Sequence, residues 1–140
     1  MSNEEVEANL NITNKCNQDC LFCFNYSNNE EPSLVEIYEK LDFFKKRKVK
    51  RLFLNGGEPT LRKDLKEIIR YSKKSNIEVV DLLTNGTLLD KSYLKHVISA
   101  GVDKITYSLH SHKKKVSDCL TKNKGGFQRT VSSIRDSLKY

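Results

Sequence analysis

The sequence lacks the segments that would direct a protein into a membrane or an oxidising compartment. No apolar stretch among the 140 residues approaches the ~18 residues that a bilayer-spanning helix needs. The first residues, Met1-Ser-Asn-Glu, contain neither the charged nor the apolar segment of a secretory signal peptide. These absences predict a cytoplasmic protein without a membrane-bound part, and its cysteines are therefore expected to stay reduced.

A fourth cysteine is also missing near the three that stand close together. Cys16, Cys20 and Cys23 form a CxxxCxxC motif, and the remaining cysteine lies far along the chain at Cys119. Thiolates are soft ligands that suit iron-sulfur clusters, zinc or cuprous copper. Three thiolates on one metal centre leave a coordination position open, which is the pattern of catalytic rather than structural sites.

Zinc is the alternative that the three cysteines leave open. A structural zinc site would take its fourth ligand from elsewhere in the chain. The candidates, all more than seventy residues beyond Cys23, are His96, His110, His112 and Cys119. Without a metal, Cys119 is expected to be a small buried hydrophobic residue.

Hydrophobic periodicity predicts four strands and four helices in strict alternation. Ala8, Leu10 and Ile12 alternate with polar residues, as in a strand with one buried face. Apolar runs predict further strands at 49–54, 77–83 and 102–109, the first of them buried on both faces. A helical pattern follows each strand. The first helix begins at the Ser33 capping box, the second has Leu61, Leu65, Ile68 and Ile69 on one side, the third begins at Asp90 and ends at Gly101, and the fourth is marked by Phe127, Val131, Ile134 and Leu138. The segment from Leu109 through Gly126 is expected to be a loop.

This alternation predicts an α/β fold with parallel strands joined by right-handed crossovers. In barrels built this way, active sites gather in the loops that follow the strands. Each of the four such loops in this sequence carries a group of candidate site residues. A dinucleotide-binding fold is less favoured because no GxGxxG motif follows the first strand.

Four motifs therefore stand in one order, each where a predicted strand ends. They are the cysteine motif with Phe22, Gly56-Gly57-Glu58-Pro59, Thr84-Asn85-Gly86, and Tyr107-Ser108-Leu109-His110. Taken singly, the second and third are also ordinary turn signals. Together, over residues 8–140, they closely resemble the radical SAM superfamily. The resemblance implies a partial (β/α)6 TIM-like barrel, of which residues 1–140 would supply four βα units as one incomplete domain, truncated or completed by a separate C-terminal half.

The resemblance also implies cofactors and a reaction. Cys16, Cys20 and Cys23 would ligate a 4Fe-4S cluster whose fourth iron binds S-adenosylmethionine. Reductive cleavage of that molecule would yield methionine and a 5'-deoxyadenosyl radical, which takes a hydrogen atom from a substrate that the sequence does not identify. An external electron donor of the flavodoxin or ferredoxin type would supply the electron.

The other motifs receive cofactor-binding roles from the same resemblance. Phe22 is expected near the adenine, Gly56 and Gly57 at the ammonium of the methionine moiety, and Ser108 at the ribose or carboxylate. Glu58 would bind the ligand or brace its loop, Pro59 would set the exit of that loop, and Thr84 and Asn85 would lie towards the substrate. His110 is a candidate for proton transfer, with a solvated surface histidine as the alternative.

Positive charge is concentrated towards the C-terminus. The net charge is +7, and residues 113–140 carry eight basic and two acidic residues, with a lysine run at 113–115. An RNA-binding surface is one interpretation, and a solvated helix face or a surface for the missing half is the other. The second is favoured because no aromatic residues interleave the lysines, so nucleic acid is not expected as a partner. The rival function remains a noncatalytic iron-sulfur, zinc or RNA-associated domain, including a decayed radical SAM fragment.

Overall fold

Four parallel strands form one sheet in a computed structural model that describes residues 6–24 and 31–140. The strands are β1 (Glu7–Thr13), β2 (Arg51–Gly56), β3 (Val79–Thr84) and β4 (Lys104–Tyr107), in the order β1-β2-β3-β4. The helices are α1 (Leu34–Lys46), α2 (Leu65–Lys74), α3 (Lys91–Ala100), α4 (Lys114–Leu120) and α5 (Gly126–Ser137), with a 3-10 turn at Pro59–Leu61. Each strand after β1 pairs with the strand that precedes it, and among the described residues β4 does not pair with β1, so the sheet is not closed. The predicted α/β fold of four βα units is confirmed.

The helix ends form where the sequence predicts them. The Ser33 hydroxyl accepts from the Glu36 amide at 3.2 Å and the Glu36 carboxylate accepts from the Ser33 amide at 2.8 Å, which completes the capping box of α1. Asp90 accepts from the Tyr93 amide at 2.8 Å and so starts α3. Gly101 ends that helix with a φ of 111°, a conformation that favours glycine.

The helices cover one face of the sheet. The buried residues on that face are Leu10, Ile12, Leu52, Leu54, Val80 and Leu82, which join the apolar sides of α1, α2 and α3 in one core. The prediction that β2 is buried on both faces is wrong, because Phe53 and Asn55 on the other face stay partly exposed. No layer of described residues covers that face, which we call the open face of the sheet.

The open face is polar and carries one buried carboxylate. Asp81 is fully buried, and it accepts from the Arg51 guanidinium at 3.1 Å and from the Thr106 hydroxyl at 2.9 Å. Lys104 Nζ lies 3.6 Å from the same carboxylate. Buried charges are tolerated when they are paired in this way. Nearer the strand ends, the Asn55 amide donates to Asn9 at 2.9 Å.

The C-terminal part departs from the sequence prediction in three ways. The segment before Gly126 was expected to be a loop, but it contains α4. Helix α5 buries Thr130 and Ser133, because these polar side chains reach the loop after β3 and Tyr107: Thr130 Oγ1 donates to the Asn85 carbonyl at 2.7 Å, and Ser133 Oγ lies 3.0 Å from the Tyr107 hydroxyl. Cys119 is exposed on α4, so the prediction that it is buried is wrong.

Candidate cofactor site

The predicted site residues meet at the carboxyl ends of the four strands. A cavity of about 230 Å³ lies there. The predicted residues that line it are Cys16, Cys20, Cys23, Phe22, Gly56, Gly57, Thr84, Asn85, Ser108 and His110. Glu58 and Pro59 do not line it. A larger cavity of about 630 Å³ lies along α3 and α5, but it holds none of the residues with a predicted cofactor role, so its size does not make it the functional site.

All three cysteines lie on the loop that follows β1. Partial burial raises the pKa of Cys16, and the negative charges of Glu58 and Cys23 raise it further. Partial burial also raises the pKa of Cys20, with Cys16 and Cys23 adding to the effect. The thiols influence one another because they face the same cavity, and metal binding at these sulfurs must release their protons.

This donor set fits a cluster with several metal atoms. Within 6–24 and 31–140, no three His, Cys, Asp or Glu residues meet tightly enough to hold a single ion. The corners of a 4Fe-4S cluster are separate irons, so three sulfurs that surround one cavity can each take a different corner. Of the four residues named as possible zinc ligands, only His110 lines the cavity.

The Gly56-Gly57 loop packs directly on the backbone of the cysteine loop. The Gly57 amide donates to the Thr13 carbonyl at 2.7 Å, and the Glu58 amide donates to the Lys15 carbonyl at 2.8 Å. A Cβ atom on Gly56 would lie 2.2 Å from the Thr13 carbonyl oxygen, and one on Gly57 would lie 2.2 Å from that of Lys15. Gly56 also has a φ of 134°. The two glycines therefore let two backbone segments approach each other.

Glu58 does not line the cavity, and its side chain holds two loops together. Its side chain is fully buried. One carboxylate oxygen accepts from the Thr60 amide at 3.0 Å, the Thr60 hydroxyl at 2.5 Å and the Thr84 hydroxyl at 2.7 Å, and the other accepts from the Asn85 amide at 2.7 Å. Of the two roles expected for Glu58, the geometry favours bracing the loops over binding a ligand.

We expect Glu58→Gln to lower the free energy of unfolding by about 2–3 kcal/mol, because hydrogen bonds to a charged group are strong and a lost partner leaves a buried donor unsatisfied. The carboxamide of the variant would place its N–H group against one of the four donors that bond to the Glu58 carboxylate in the wild-type protein. Urea unfolding of the metal-free protein measures the effect. Glu36→Gln, on the exposed face of α1, is the matched control and should cost no more than about 1 kcal/mol. Equal losses in the two variants would contradict the bracing role.

Phe22 lines the cavity from the cysteine loop, and Ser108 and His110 line it from the segment that follows β4. The rings of Phe22 and His110 meet edge to face with centroids 4.5 Å apart. The Ser108 amide donates to the Thr84 carbonyl at 2.9 Å, which extends the pairing of β3 with the chain beyond β4. All three residues are exposed, and their roles towards a cofactor stay predictions.

Sequence analysis missed the residues that hold the cysteine loop from outside. The buried Arg62 guanidinium donates to the carbonyls of Ile12 at 2.6 Å and Pro32 at 2.7 Å. It also makes a two-pronged ion pair with Asp64, and this pair lowers the pKa of Asp64. No periodic pattern marks such a residue, since its partners lie up to 50 residues away.

Helix α4 supports the same loop from the C-terminal side. The Leu21 amide donates to the Leu120 carbonyl at 2.9 Å. Lys122 Nζ pairs with the Asp19 carboxylate at 2.8 Å. The unpredicted helix therefore contacts the segment that carries Cys20. None of the helices in the described ranges has the length and apolar character needed to span a bilayer.

The family model described as "Radical SAM superfamily" matches residues 10–140 of this chain. The GTP 3',8-cyclase of Aquifex aeolicus is 40% identical over 112 residues, covering 73% of this chain and 34% of that protein. The probable GTP 3',8-cyclase of Methanococcus maripaludis is 40% identical over 104 residues, covering 71% and 35%. The solved structure of anSMEcpe with bound AdoMet has a TM-score of 0.76 at 21% identity, covering 96% of this chain and 41% of that one.

These findings confirm the resemblance inferred from the motifs. Superfamily members bind a 4Fe-4S cluster and S-adenosylmethionine, so the cofactor prediction is confirmed at the level of the family. The chain spans about a third of the length of the two cyclases, 34% and 35%. Because the family model matches nearly the whole described chain and both relatives share 40% of the aligned residues, the chain belongs to the radical SAM superfamily.

Proposed function

We propose that this chain is the N-terminal, cofactor-binding part of a radical SAM enzyme core. The observation that supports the proposal is that three cysteines and the Gly56-Gly57 loop line one cavity at the strand ends. When bound there, a 4Fe-4S cluster supplies the electron that breaks a carbon-sulfur bond of S-adenosylmethionine and releases a 5'-deoxyadenosyl radical.

Different residues of the cavity bind different parts of the two cofactors. Cys16, Cys20 and Cys23 ligate three irons. The ammonium of the methionine moiety needs acceptors, so the carbonyl oxygens of the glycine segment receive it, whereas the Gly57 amide is a donor and bonds to Thr13. Phe22 offers the adenine a stacking surface, an interaction of about 1–3 kcal/mol in nucleic-acid complexes.

Ser108 lines the cavity from the segment after β4, two strands along the sheet from the glycine loop. Its hydroxyl can donate to a ribose or carboxylate oxygen, and its backbone is fixed by the bond to Thr84. Thr84 and Asn85 line the cavity as well, although Glu58 engages the Thr84 hydroxyl and the Asn85 amide. These two residues therefore act mainly by shaping the wall beside the reacting centre.

Anaerobic reconstitution with iron and sulfide tests the proposal. We expect the reduced protein to give an EPR signal that changes when S-adenosylmethionine is added, and 5'-deoxyadenosine to accumulate in the presence of dithionite. The signal should change because the open iron position receives the amino and carboxylate groups. One equivalent of zinc, without iron or sulfide, would overturn the proposal in favour of a noncatalytic metal domain.

GTP is the substrate to test first, because both similar cyclases act on it by name. The open face beside the cavity offers a triphosphate little positive charge: of its described cations, Arg51 and Lys104 both face the Asp81 carboxylate. We therefore propose that the complete enzyme binds GTP chiefly through residues beyond these four units. In the reconstitution experiment, GTP should leave the yield of 5'-deoxyadenosine from this chain unchanged, and a marked increase would contradict this division of labour.

The electron donor is proposed to dock beside α4. Helix α4 is about 10 Å long at ~1.5 Å per residue, and its C-terminal end contacts the cysteine loop. Lys114, Lys115 and Lys124 are exposed beside a cavity of about 650 Å³. A flavodoxin- or ferredoxin-type donor with an acidic surface would be attracted to the positive surface one helix length from the cluster.

We expect Lys114→Glu with Lys115→Glu to slow cluster reduction by flavodoxin about tenfold at low salt, because charge complementarity acts chiefly on association rates. Stopped-flow absorbance measures the rate. Lys45→Glu with Lys46→Glu, in the last turn of α1, is the control and should change it little. Reduction by dithionite should be equal in all variants. An undiminished rate with flavodoxin, or tight salt-dependent binding of single-stranded RNA at these lysines, would contradict the docking site.

A further inference from the structure

A closed ring of hydrogen bonds joins the cysteine loop to the loop after β3. Asn17, which follows the first cysteine, donates from Nδ2 to the Thr87 hydroxyl at 2.9 Å. The Thr87 hydroxyl donates to Asn85 Oδ1 at 2.7 Å. Asn85 Nδ2 donates back to Asn17 Oδ1 at 2.8 Å. Each of the three side chains thus donates once and accepts once around the ring.

The loop after β3 is a firm base for this ring. Asn85 and Thr87 are only 7% and 8% exposed. The Asn85 amide donates to the Glu58 carboxylate at 2.7 Å, and its carbonyl accepts from the Thr130 hydroxyl at 2.7 Å. The backbone of Asn85 is therefore held by the glycine loop on one side and by α5 on the other, and Asn17 bonds to a residue that cannot move freely.

The ring is one of several attachments that flank the central cysteine, together with the ion pair between Lys122 and Asp19 and the bond from the Asp19 amide to the Thr121 carbonyl at 3.3 Å. Beyond Cys20, the Leu21 amide bonds to the Leu120 carbonyl at 2.9 Å. Before it, Asn17 is fixed by the ring. A chain segment held at both ends has few conformations left, so little conformational entropy remains to be lost when a ligand binds.

We propose that Asn17 is a positioning residue that, through Asn85 and Thr87, holds the cysteine loop in its cluster-binding conformation before the cluster arrives. The inference rests on the proposed binding of a cluster by Cys16, Cys20 and Cys23. Residues that orient metal ligands from outside the ligand set commonly affect metal affinity by about 10-fold to 100-fold. The hydrogen-bond ring gives such a role to Asn17, which is not one of the proposed metal ligands.

Three variants and a matched control test the ring. Asn17→Ala removes its first member, and Thr87→Val removes the hydroxyl with little change of shape. Asn17→Asp is the conservative variant, because a carboxylate can accept from both Asn85 and Thr87, while the Thr87 amide still donates to Asn85 at 3.0 Å. Asn123→Ala is the control, since Asn123 accepts from Arg129 at 2.7 Å in the connection from α4 to α5.

The first measurement is amide hydrogen exchange of the metal-free protein. We expect Asn17→Ala and Thr87→Val to speed exchange at residues 16–24 about tenfold or more, with β2 and β3 unchanged, because opening of a local segment exposes only its own amides. Asn17→Asp should restore slow exchange, and Asn123→Ala should match the wild-type protein. If Asn17→Ala fails to fold, Thr87→Val makes the same test.

The second measurement is retention of the reconstituted cluster against an iron chelator. We expect Asn17→Ala to lose the cluster about 10–100 times more readily than the wild type, and the control to retain it. Wild-type exchange and retention in Asn17→Ala would overturn the positioning role. A wild-type protein that takes up no iron, while Asn17→Ala still speeds exchange, would instead overturn the proposed function and leave the ring as the element that orders the loop.

Discussion

Cys20→Ala is expected to abolish cluster assembly in this chain. The change removes one of three thiolates that face the 230 Å³ cavity, and no other described cysteine lines that cavity to replace it. Even residues outside the ligand set can change metal affinity by 10- to 100-fold, so loss of a ligand should lower cluster affinity by about 100-fold or more. Iron and sulfide analysis after anaerobic reconstitution measures the loss, and 5'-deoxyadenosine should disappear with it.

Cys119→Ala is the matched control for this experiment. Cys119 is an exposed thiol on α4 and does not line the cavity. Its removal should leave iron content, the EPR signal and cofactor cleavage at wild-type levels. A Cys20→Ala protein with full iron content would mean that the ligands are wrongly assigned. Loss of the cluster in Cys119→Ala would bring that residue into the site and revive the zinc hypothesis.

Gly57→Ala is expected to have the largest effect on the fold around the site. A Cβ atom there would lie 2.2 Å from the Lys15 carbonyl oxygen and 2.6 Å from its carbon. Both are backbone atoms of the residue that precedes Cys16, so the strain can be relieved only by moving one loop away from the other. Overpacking usually costs about 1–3 kcal/mol, and the lack of any flexible neighbour places this variant at about 3 kcal/mol or above. Urea unfolding of the metal-free protein measures it.

The same variant should also lose the response to S-adenosylmethionine. Moving the Gly56-Gly57 loop disrupts the bond from the Gly57 amide to Thr13 and changes the wall of the cavity. Gly126→Ala is the control, because the atoms nearest its added Cβ belong to the Asn123 side chain at 3.2 Å and can shift. It should stay within about 1 kcal/mol of the wild type, the usual range for glycine in helices. Wild-type stability and EPR response in Gly57→Ala would show that the close approach is not required.

Periodic and local features of the chain are the ones that the sequence predicts well. Alternation in β1, the capping box at Ser33 and the glycine stop at Gly101 depend on residues that are near neighbours along the chain, and all three are present. The four strand-end motifs, in their order along the chain, identify the family. Because parallel strands bring their carboxyl ends to one edge of a sheet, that order also predicts that the cysteines and glycines line one cavity.

Features that depend on packing partners are not predicted by the sequence in this way. The lysine-rich start of α4 shows no amphipathic pattern, and α5 turns its polar Thr130 and Ser133 inwards because a carbonyl and a phenol lie opposite them. The sequence shows a glutamate at position 58 whether the residue binds a ligand or braces a loop, so it cannot distinguish the two roles. The four hydrogen-bond donors around the buried Glu58 carboxylate favour bracing.

The family, the strand and helix pairs and the cysteines that line the cavity can therefore be inferred from residue order. The bracing of the site cannot, because its hydrogen bonds join Asn17 to partners 68 and 70 residues away. Contacts at such separations follow no period and depend on how the strands align. These contacts form only when the sheet has formed, so the folded structure shows them and the sequence does not.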